Sequence, residues 1–183
     1  MESSAIWMPL LLSFVISVIA GPLIIPFLRR LKVGQPIRQD GPKEHLKKTG
    51  TPTMGGFLIL ISVSVTALLF AKDYPKMIPV LLVTLGFGLI GFLDDYLKII
   101  LRSSEGLKPW QKLALQLLVT AVFAYYMVNI SGISLAMRIP FWEGYYLDLG
   151  VWNLPAMFVV MAGCANGTNF TDGLDGLAGS VTV

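Results

Sequence analysis

The stretch Asn166-Gly-Thr-Asn169-Phe-Thr-Asp172-Gly-Leu-Asp175-Gly176 directly follows the apolar run 151–165. It contains two amide side chains followed by two carboxylates, and each of the four lies three residues after the one before. On a straight α-helix each such step falls about 60° short of a full turn, so Asn166 and Asp175 would lie on opposite sides. Gly173 and Gly176 give the backbone the freedom to break the helix and fold back. We therefore predict a polar site for a ligand or a hard cation at the end of an apolar helix.

The composition around this stretch is that of an integral membrane protein. Hydrophobic residues make up 55% of the chain, mean hydropathy is +0.71 and only 14% of residues are charged, against roughly 25% in soluble domains. The single cysteine, Cys164, has no partner for an intrachain disulfide. We predict an all-α helical bundle that forms one transmembrane domain over residues 1–183, with the lipid bilayer and not nucleic acid as its partner.

Five apolar runs are candidates for transmembrane helices, because a bilayer core requires roughly 20 apolar residues. The last is short, and the start of a sixth helix is expected after it. The predicted spans are Ile6–Leu28, 55–71, 77–97, 113–130 and 149–165.

Basic residues are distributed asymmetrically between the connecting segments. Segments 29–54 and 98–112 hold eleven of the fourteen Lys and Arg residues. Since cytoplasmic loops are enriched in Lys and Arg, we predict that both segments are cytoplasmic and that the N-terminus lies outside.

The external segment between spans four and five alternates apolar residues with smaller or polar ones on both sides of Glu143-Gly144. This period of two around a glycine turn predicts a small β-hairpin on the outer leaflet. Trp142 and Trp152 are typical of an interfacial aromatic belt.

Three polar clusters are predicted to converge on the cytoplasmic face. Asp94 and Asp95 end span three, the stretch 166–176 ends span five, and the basic loop with His45 and Lys48 lies on the same side. Each also has a simpler interpretation. Adjacent carboxylates at a helix end are often only solvated, a Lys-rich loop binds anionic lipid, and His45 alone is weak evidence. The acidic, glycine-punctuated stretch most strongly favours a site.

Three segments resemble signatures of the phospho-N-acetylmuramoyl-pentapeptide transferase family. They are Gly41-Pro-Lys-Glu-His45-Leu-Lys-Lys48-Thr-Gly-Thr-Pro-Thr53-Met-Gly-Gly56, Gly91-Phe-Leu-Asp94-Asp95-Tyr-Leu-Lys98, and the stretch from Asn166 to Ala178. The wider superfamily of polyprenyl-phosphate N-acetylhexosamine-1-phosphate transferases shares the acidic pair and the Asp-Gly-x-Asp-Gly pattern. The Thr-Pro-Thr-Met-Gly-Gly run favours the muramoyl-pentapeptide branch.

The resemblance implies a ten-helix protein of the bacterial inner membrane, with both termini outside and a cytoplasmic active site. The chain corresponds to about half of that fold, and a further catalytic aspartate and a histidine-rich loop belong to the other half. We therefore expect residues 1–183 alone to be inactive. Homodimers are common in the family.

The implied reaction transfers phospho-MurNAc-pentapeptide from UDP-MurNAc-pentapeptide to undecaprenyl phosphate, giving lipid I and UMP with Mg²⁺ as cofactor. The resemblance leaves open whether the lipid attacks directly or an aspartate forms a covalent intermediate. The implied catalytic residues are Asp94, Asp95 and Asp172, with Asn169 and Asp95 as metal ligands. The implied substrate-binding residues are Lys48, Thr53, Lys98, Asn166, Asn169, Gly173, Leu174 and Asp175.

Other function classes remain as alternatives. The nearest is a sibling transferase that uses N-acetylglucosamine-1-phosphate. A proton-coupled transporter would instead place carboxylates near the middle of the membrane, whereas these carboxylates end predicted spans. A non-catalytic membrane fragment is the third alternative.

Overall fold

The computed structural model describes residues 4–30, 55–101, 106–139, 141–142 and 144–171. Within them the chain forms five α-helices and one small antiparallel sheet. In chain order the elements are α1 (Ser4–Arg30), α2 (Gly56–Phe70), α3 (Met77–Leu101), α4 (Pro109–Tyr125), a π-helical turn (Tyr126–Ile130), β1 (Met137–Arg138), β2 (Tyr146–Leu147), a 3₁₀ turn (Gly150–Trp152) and α5 (Asn153–Thr171).

Three of these helical segments are long and apolar enough to cross a bilayer: Ile6–Leu28, Met77–Leu101 and Pro109–Ile130. The first has the predicted bounds. Helix α2 has 15 residues and is a shorter apolar helix. Helix α5 has 19 residues but ends in the polar sequence around Asn166 and Asn169. The all-α membrane character is therefore confirmed, and the path of each helix across the bilayer stays a prediction.

The chain forms two compact units, residues 1–109 and 110–183. In the first unit α2 packs against α1 and against α3. The Ser17 hydroxyl of α1 donates to the Ser62 hydroxyl of α2 over 2.8 Å, and the Ser62 hydroxyl donates to the Leu58 carbonyl over 2.8 Å. Small hydroxyl residues at such contacts let membrane helices approach closely and bond across the interface.

Helices α2 and α3 come into contact through a glycine and a pair of aromatic rings. A Cβ added to Gly88 would lie 2.7 Å from Leu60 Cδ1, so the missing side chain makes room for α2. Toward the C-terminal end of α3 the Phe57 and Phe92 rings meet edge to face, with centroids 5.3 Å apart. These contacts fix the end of α3 that carries the acidic pair.

In the second unit the predicted hairpin is present but short. Its register pairs Met137 with Leu147 and Arg138 with Tyr146. The Ile139 amide donates to the Tyr145 carbonyl over 3.2 Å, which adds one bond beyond the strands. Gly144 at the turn has φ 81°, a value that glycine adopts without steric cost.

Hydrogen bonds around Asp148 connect the hairpin to the start of α5. One carboxylate oxygen of Asp148 accepts the Gly150 amide at 2.9 Å and the Asn153 side-chain amide at 2.6 Å. The side-chain oxygen of Asn153, Oδ1, accepts a hydrogen bond from the Leu149 backbone amide over 3.1 Å. The bond from Gly150, and then the bond from Asn153, lower the pKa of Asp148, because both favour the ionised form.

Candidate functional site

The Asp94–Asp95 pair lies in the last two turns of α3, as predicted. Successive helical residues point about 100° apart, and the two carboxylates accordingly have different surroundings. Asp94 is buried, with 7% of its surface exposed, whereas the Asp95 side chain is 30% exposed. A charged residue that is almost fully buried needs partners, because an unpaired buried charge costs several kcal/mol.

Asp94 has two partners among the described residues. Lys98, one turn later on α3, places its Nζ 2.7 Å from Asp94 Oδ2. The backbone amide of Leu107, in the segment between α3 and α4, donates to Asp94 Oδ1 over 2.9 Å. Each carboxylate oxygen thus accepts one bond from the described residues. A carboxylate offers about four lone-pair sites, so these described donors leave acceptor capacity on both oxygens.

Lys98 also bonds the second aspartate, with its Nζ 3.2 Å from Asp95 Oδ1. One cation therefore contacts two adjacent carboxylates and holds both near the end of α3. The structure brings together Asp94, Asp95 and Lys98, three of the residues that the sequence singled out. It adds Leu107, which no residue-type pattern indicates, because its contribution is a backbone N–H.

In the second unit Asn166 bonds α5 to α4. Its side-chain amide donates to Gln116 Oε1 over 2.9 Å and to the Ala162 carbonyl over 2.8 Å. Gln116 is 2% exposed, and Thr120, whose hydroxyl donates to the Gln116 backbone carbonyl over 2.8 Å, is completely buried. Gln116 was not among the residues predicted from the sequence. An amide well inside an apolar span, four residues before a threonine, is the signal that indicates it.

Asn169 lies three residues after Asn166 on the same helix and is exposed. Helix α5 continues to Thr171, so Asn166 and Asn169 are helical residues and any break falls later in the chain. The remaining predicted site residues lie outside the described part of the chain. These are Lys48, Thr53, Asp172, Gly173, Leu174 and Asp175.

The described oxygen donors suit Mg²⁺ in kind, since this hard cation prefers carboxylate and carbonyl oxygens. Asp95 is partly exposed and Asn169 is exposed, so both have side chains accessible to a cation. Both Asp94 oxygens are already bonded to donors. In the described ranges no group of three or more His, Cys, Asp or Glu residues could hold a metal ion. Asp95 and Asn169 therefore suit a magnesium ion by residue type only, and their role as its ligands stays a prediction.

Comparison with known proteins places this arrangement in a family. Residues 77–183 match glycosyl transferase family 4. The matched region begins at the first residue of α3 and includes the acidic pair, Lys98, Gln116 and Asn166.

Three similar proteins are each named phospho-N-acetylmuramoyl-pentapeptide-transferase. The one from Clostridium botulinum is 49% identical over 175 residues, which is 95% of this chain and 53% of that protein. The one from Caldicellulosiruptor bescii is 45% identical over 174 residues, 95% of this chain and 53% of its own length. The one from Desulforamulus reducens is 45% identical over 190 residues, 100% of this chain and 56% of its own length. The chain spans about half the length of the curated relatives it matches.

Proposed function

Because this chain belongs to glycosyl transferase family 4, we propose that the protein is a phosphoglycosyl transferase of a bacterial inner membrane. It transfers phospho-MurNAc-pentapeptide from UDP-MurNAc-pentapeptide to undecaprenyl phosphate and so forms lipid I and UMP for peptidoglycan. The proposal is supported by 45–49% identity, over 95% of the chain, to proteins named for this transfer. A homodimer, as is common in the resembling family, is part of the proposal.

The net reaction exchanges one phosphoanhydride bond for another, and the ester between the sugar and its phosphate is kept. An oxygen of undecaprenyl phosphate bonds to the sugar-linked phosphorus, and the bond from that phosphorus to the bridging oxygen breaks. UMP leaves with that oxygen and its electron pair. In phosphoryl transfer the protein mainly positions the reactants and neutralises charge. A site at the membrane boundary lets a lipid phosphate meet a water-soluble nucleotide sugar.

Asp94 is the proposed group that orients the lipid phosphate or accepts its proton. The observation that carries this assignment is a buried carboxylate fixed from two directions, by Lys98 and by the Leu107 amide, near the end of a membrane-length helix. A fixed carboxylate with unused lone pairs can accept a proton at a defined point. Asp95, which shares Lys98, supports Asp94 or the metal.

The other residues are proposed to bind the nucleotide and the cation. Mg²⁺ would be held by Asp95 and Asn169 and would neutralise charge on the diphosphate. Asp172 is proposed as a further catalytic residue. The uridine pocket is proposed to include Lys48, Gly173, Leu174 and Asp175, and further polar contacts come from Thr53, Lys98 and Asn166.

The proposal is tested with the full-length protein in membranes, by incorporation of a radiolabelled UDP-sugar into a butanol-extractable lipid. We expect a labelled lipid that requires both undecaprenyl phosphate and Mg²⁺. The substitution Asp94→Asn keeps the size of the side chain and removes its basicity. It should lower turnover by at least about 100-fold, the scale of general acid–base catalysis, while nucleotide affinity stays within about threefold.

Asp73→Asn is the matched control, because Asp73 is an exposed aspartate in the turn between α2 and α3. It should leave turnover unchanged. Near-normal turnover in Asp94→Asn would remove the role assigned to Asp94. If the unmodified protein forms no labelled lipid, the proposed reaction itself is wrong.

A further inference from the structure

The segment that follows α3 passes very close to Asp94 at Gly106. A Cβ added to Gly106 would lie 2.5 Å from Asp94 Oδ1 and 2.6 Å from the Asp94 backbone oxygen. The contact with the Asp94 backbone oxygen decides whether a Cβ can be accommodated. That oxygen belongs to an α-helix and cannot move aside, whereas the end of a flexible side chain can. Any residue other than glycine at this position must push the segment away from α3.

Gly106 is required because a larger residue would not fit, and not because its backbone conformation is restricted to glycine. The described glycines with positive φ are Gly132, Gly144 and Gly150, so Gly106 has a conformation that other residues adopt. What it provides is a close approach, and the amide of the next residue, Leu107, uses that approach to donate to Asp94 Oδ1 over 2.9 Å. The glycine therefore permits the hydrogen bond.

We infer that Gly106, through the Leu107 amide, is a positioning residue for Asp94. This inference rests on the proposed function, in which Asp94 acts on the lipid phosphate. Lys98 is a long side chain on the same helix as Asp94 and can follow it through several rotamers. The Leu107 amide is backbone from a different segment, and it fixes the carboxylate from outside the helix. Together they fix the plane of the carboxylate and still leave lone pairs on both oxygens.

The test replaces Gly106 by alanine in the full-length protein. Since the added Cβ displaces the Leu107 amide, we expect kcat to fall at least tenfold while KM for the nucleotide sugar changes less than threefold. Catalysis is sensitive to such displacements because small errors in the position of a reacting group cost large factors in rate. Gly91→Ala is the matched control on α3, where a new Cβ meets no described atom within 4 Å, and it should keep normal kcat and KM.

A second pair of variants removes the donor without adding a Cβ at residue 106. Leu107→Pro eliminates the N–H and should reproduce the loss of kcat, whereas Leu107→Ala retains it and should not. This pair keeps the inference testable if Gly106→Ala does not fold. Equal loss of kcat in both Leu107 variants, or normal kcat in a folded Gly106→Ala protein, would overturn it.

A readout that does not depend on activity separates this inference from the proposed function. Modification of Asp94 by dicyclohexylcarbodiimide, followed by mass spectrometry, reports how firmly the carboxylate is held. We expect several-fold faster modification in Gly106→Ala than in Gly91→Ala. That result would support the positioning role even if no lipid product were formed, and equal rates would contradict it even in an active enzyme.

Discussion

Among single residues, Gln116 shows most clearly how a polar group is accommodated in an apolar helix. It is 2% exposed, and its side-chain oxygen accepts the Asn166 amide over 2.9 Å. A buried polar group without a partner costs about 1–3 kcal/mol, whereas removing both partners together can be nearly neutral. Gln116 therefore stabilises the contact between α4 and α5 as one half of a pair.

We predict that Gln116→Leu destabilises the protein by about 0.5–2 kcal/mol, because it leaves the Asn166 amide short of an acceptor in an apolar setting. Thermal unfolding in nanodiscs measures the change. The double variant Gln116→Leu/Asn166→Leu should recover part of the lost stability. If the effects of the two single substitutions simply add, the residues are not coupled and the prediction is wrong.

Only those site residues that act through their side chains could be predicted from the sequence. Asp94, Asp95 and Lys98 carry charges at the end of an apolar run, which ordinary sequence patterns detect. Gly106 and Leu107 contribute a missing Cβ and a backbone amide, and neither has a signature by residue type. Gln116 depends on which face of α4 meets α5, a matter of tertiary packing.

Among the elements, α5 differs most from its prediction. The apolar run ends at Ala165, and the predicted span ended there, but the helix continues to Thr171. Two of the polar side chains in this extension bond to carbonyls within the helix. Asn166 donates to the Ala162 carbonyl and Thr168 donates to the Cys164 carbonyl, each four residues back. The apolar run therefore underestimates the length of the described helix, which continues through polar residues to Thr171.

The start of α5 leads to a prediction about pH. The Gly150 and Asn153 bonds lower the pKa of the Asp148 carboxyl in the folded protein. A lowered pKa means that the stabilising bonds are fully present above the unfolded value of about 3.9 and are lost as pH falls through the lower folded value. We expect the Gly150 amide resonance of the ¹⁵N-glycine-labelled protein to titrate with a midpoint below that of an unfolded aspartate.

In the Asp148→Asn variant the Gly150 amide resonance should not titrate in this pH range. The loss of titration also identifies which resonance belongs to Gly150. A midpoint at or above the ordinary aspartate value in the unsubstituted protein would contradict the bond between Asp148 and Gly150.

For the whole molecule, the charge asymmetry of the connecting segments predicts how the chain crosses the membrane. Segments 29–54 and 98–112 carry eleven of the fourteen basic residues. The positive-inside rule therefore predicts that the end of α3, with Asp94, and the end of α5, with Asn166, lie on the cytoplasmic side. Apolarity predicts the helices, but their orientation depends on charges at and beyond the helix ends. The shared side is what the proposed reaction requires.

The orientation is tested with single cysteines introduced after replacement of Cys164 and any other cysteine in the full-length protein. We expect cysteines at Thr49 and Ser103 to be protected from an impermeant maleimide in intact cells, and cysteines at Lys72 and Ser134 to react. Permeabilised cells provide the control, since all four should then be labelled. If the cysteine at Ser103 were labelled in intact cells and the cysteine at Ser134 were not, the topology would be the reverse of the prediction. The site would then not be cytoplasmic.

The shortness of α2 has a consequence for the lipid around it. Fifteen helical residues extend about 22 Å, and the hydrocarbon of a typical bilayer is about 30 Å thick. If α2 crosses, acyl chains beside it must compress or headgroups must sink, at a fraction of a kcal/mol per Å of mismatch. Local thinning of the bilayer beside α2 would shorten the distance that a phosphate on a long isoprenoid has to move from the leaflet surface toward the site.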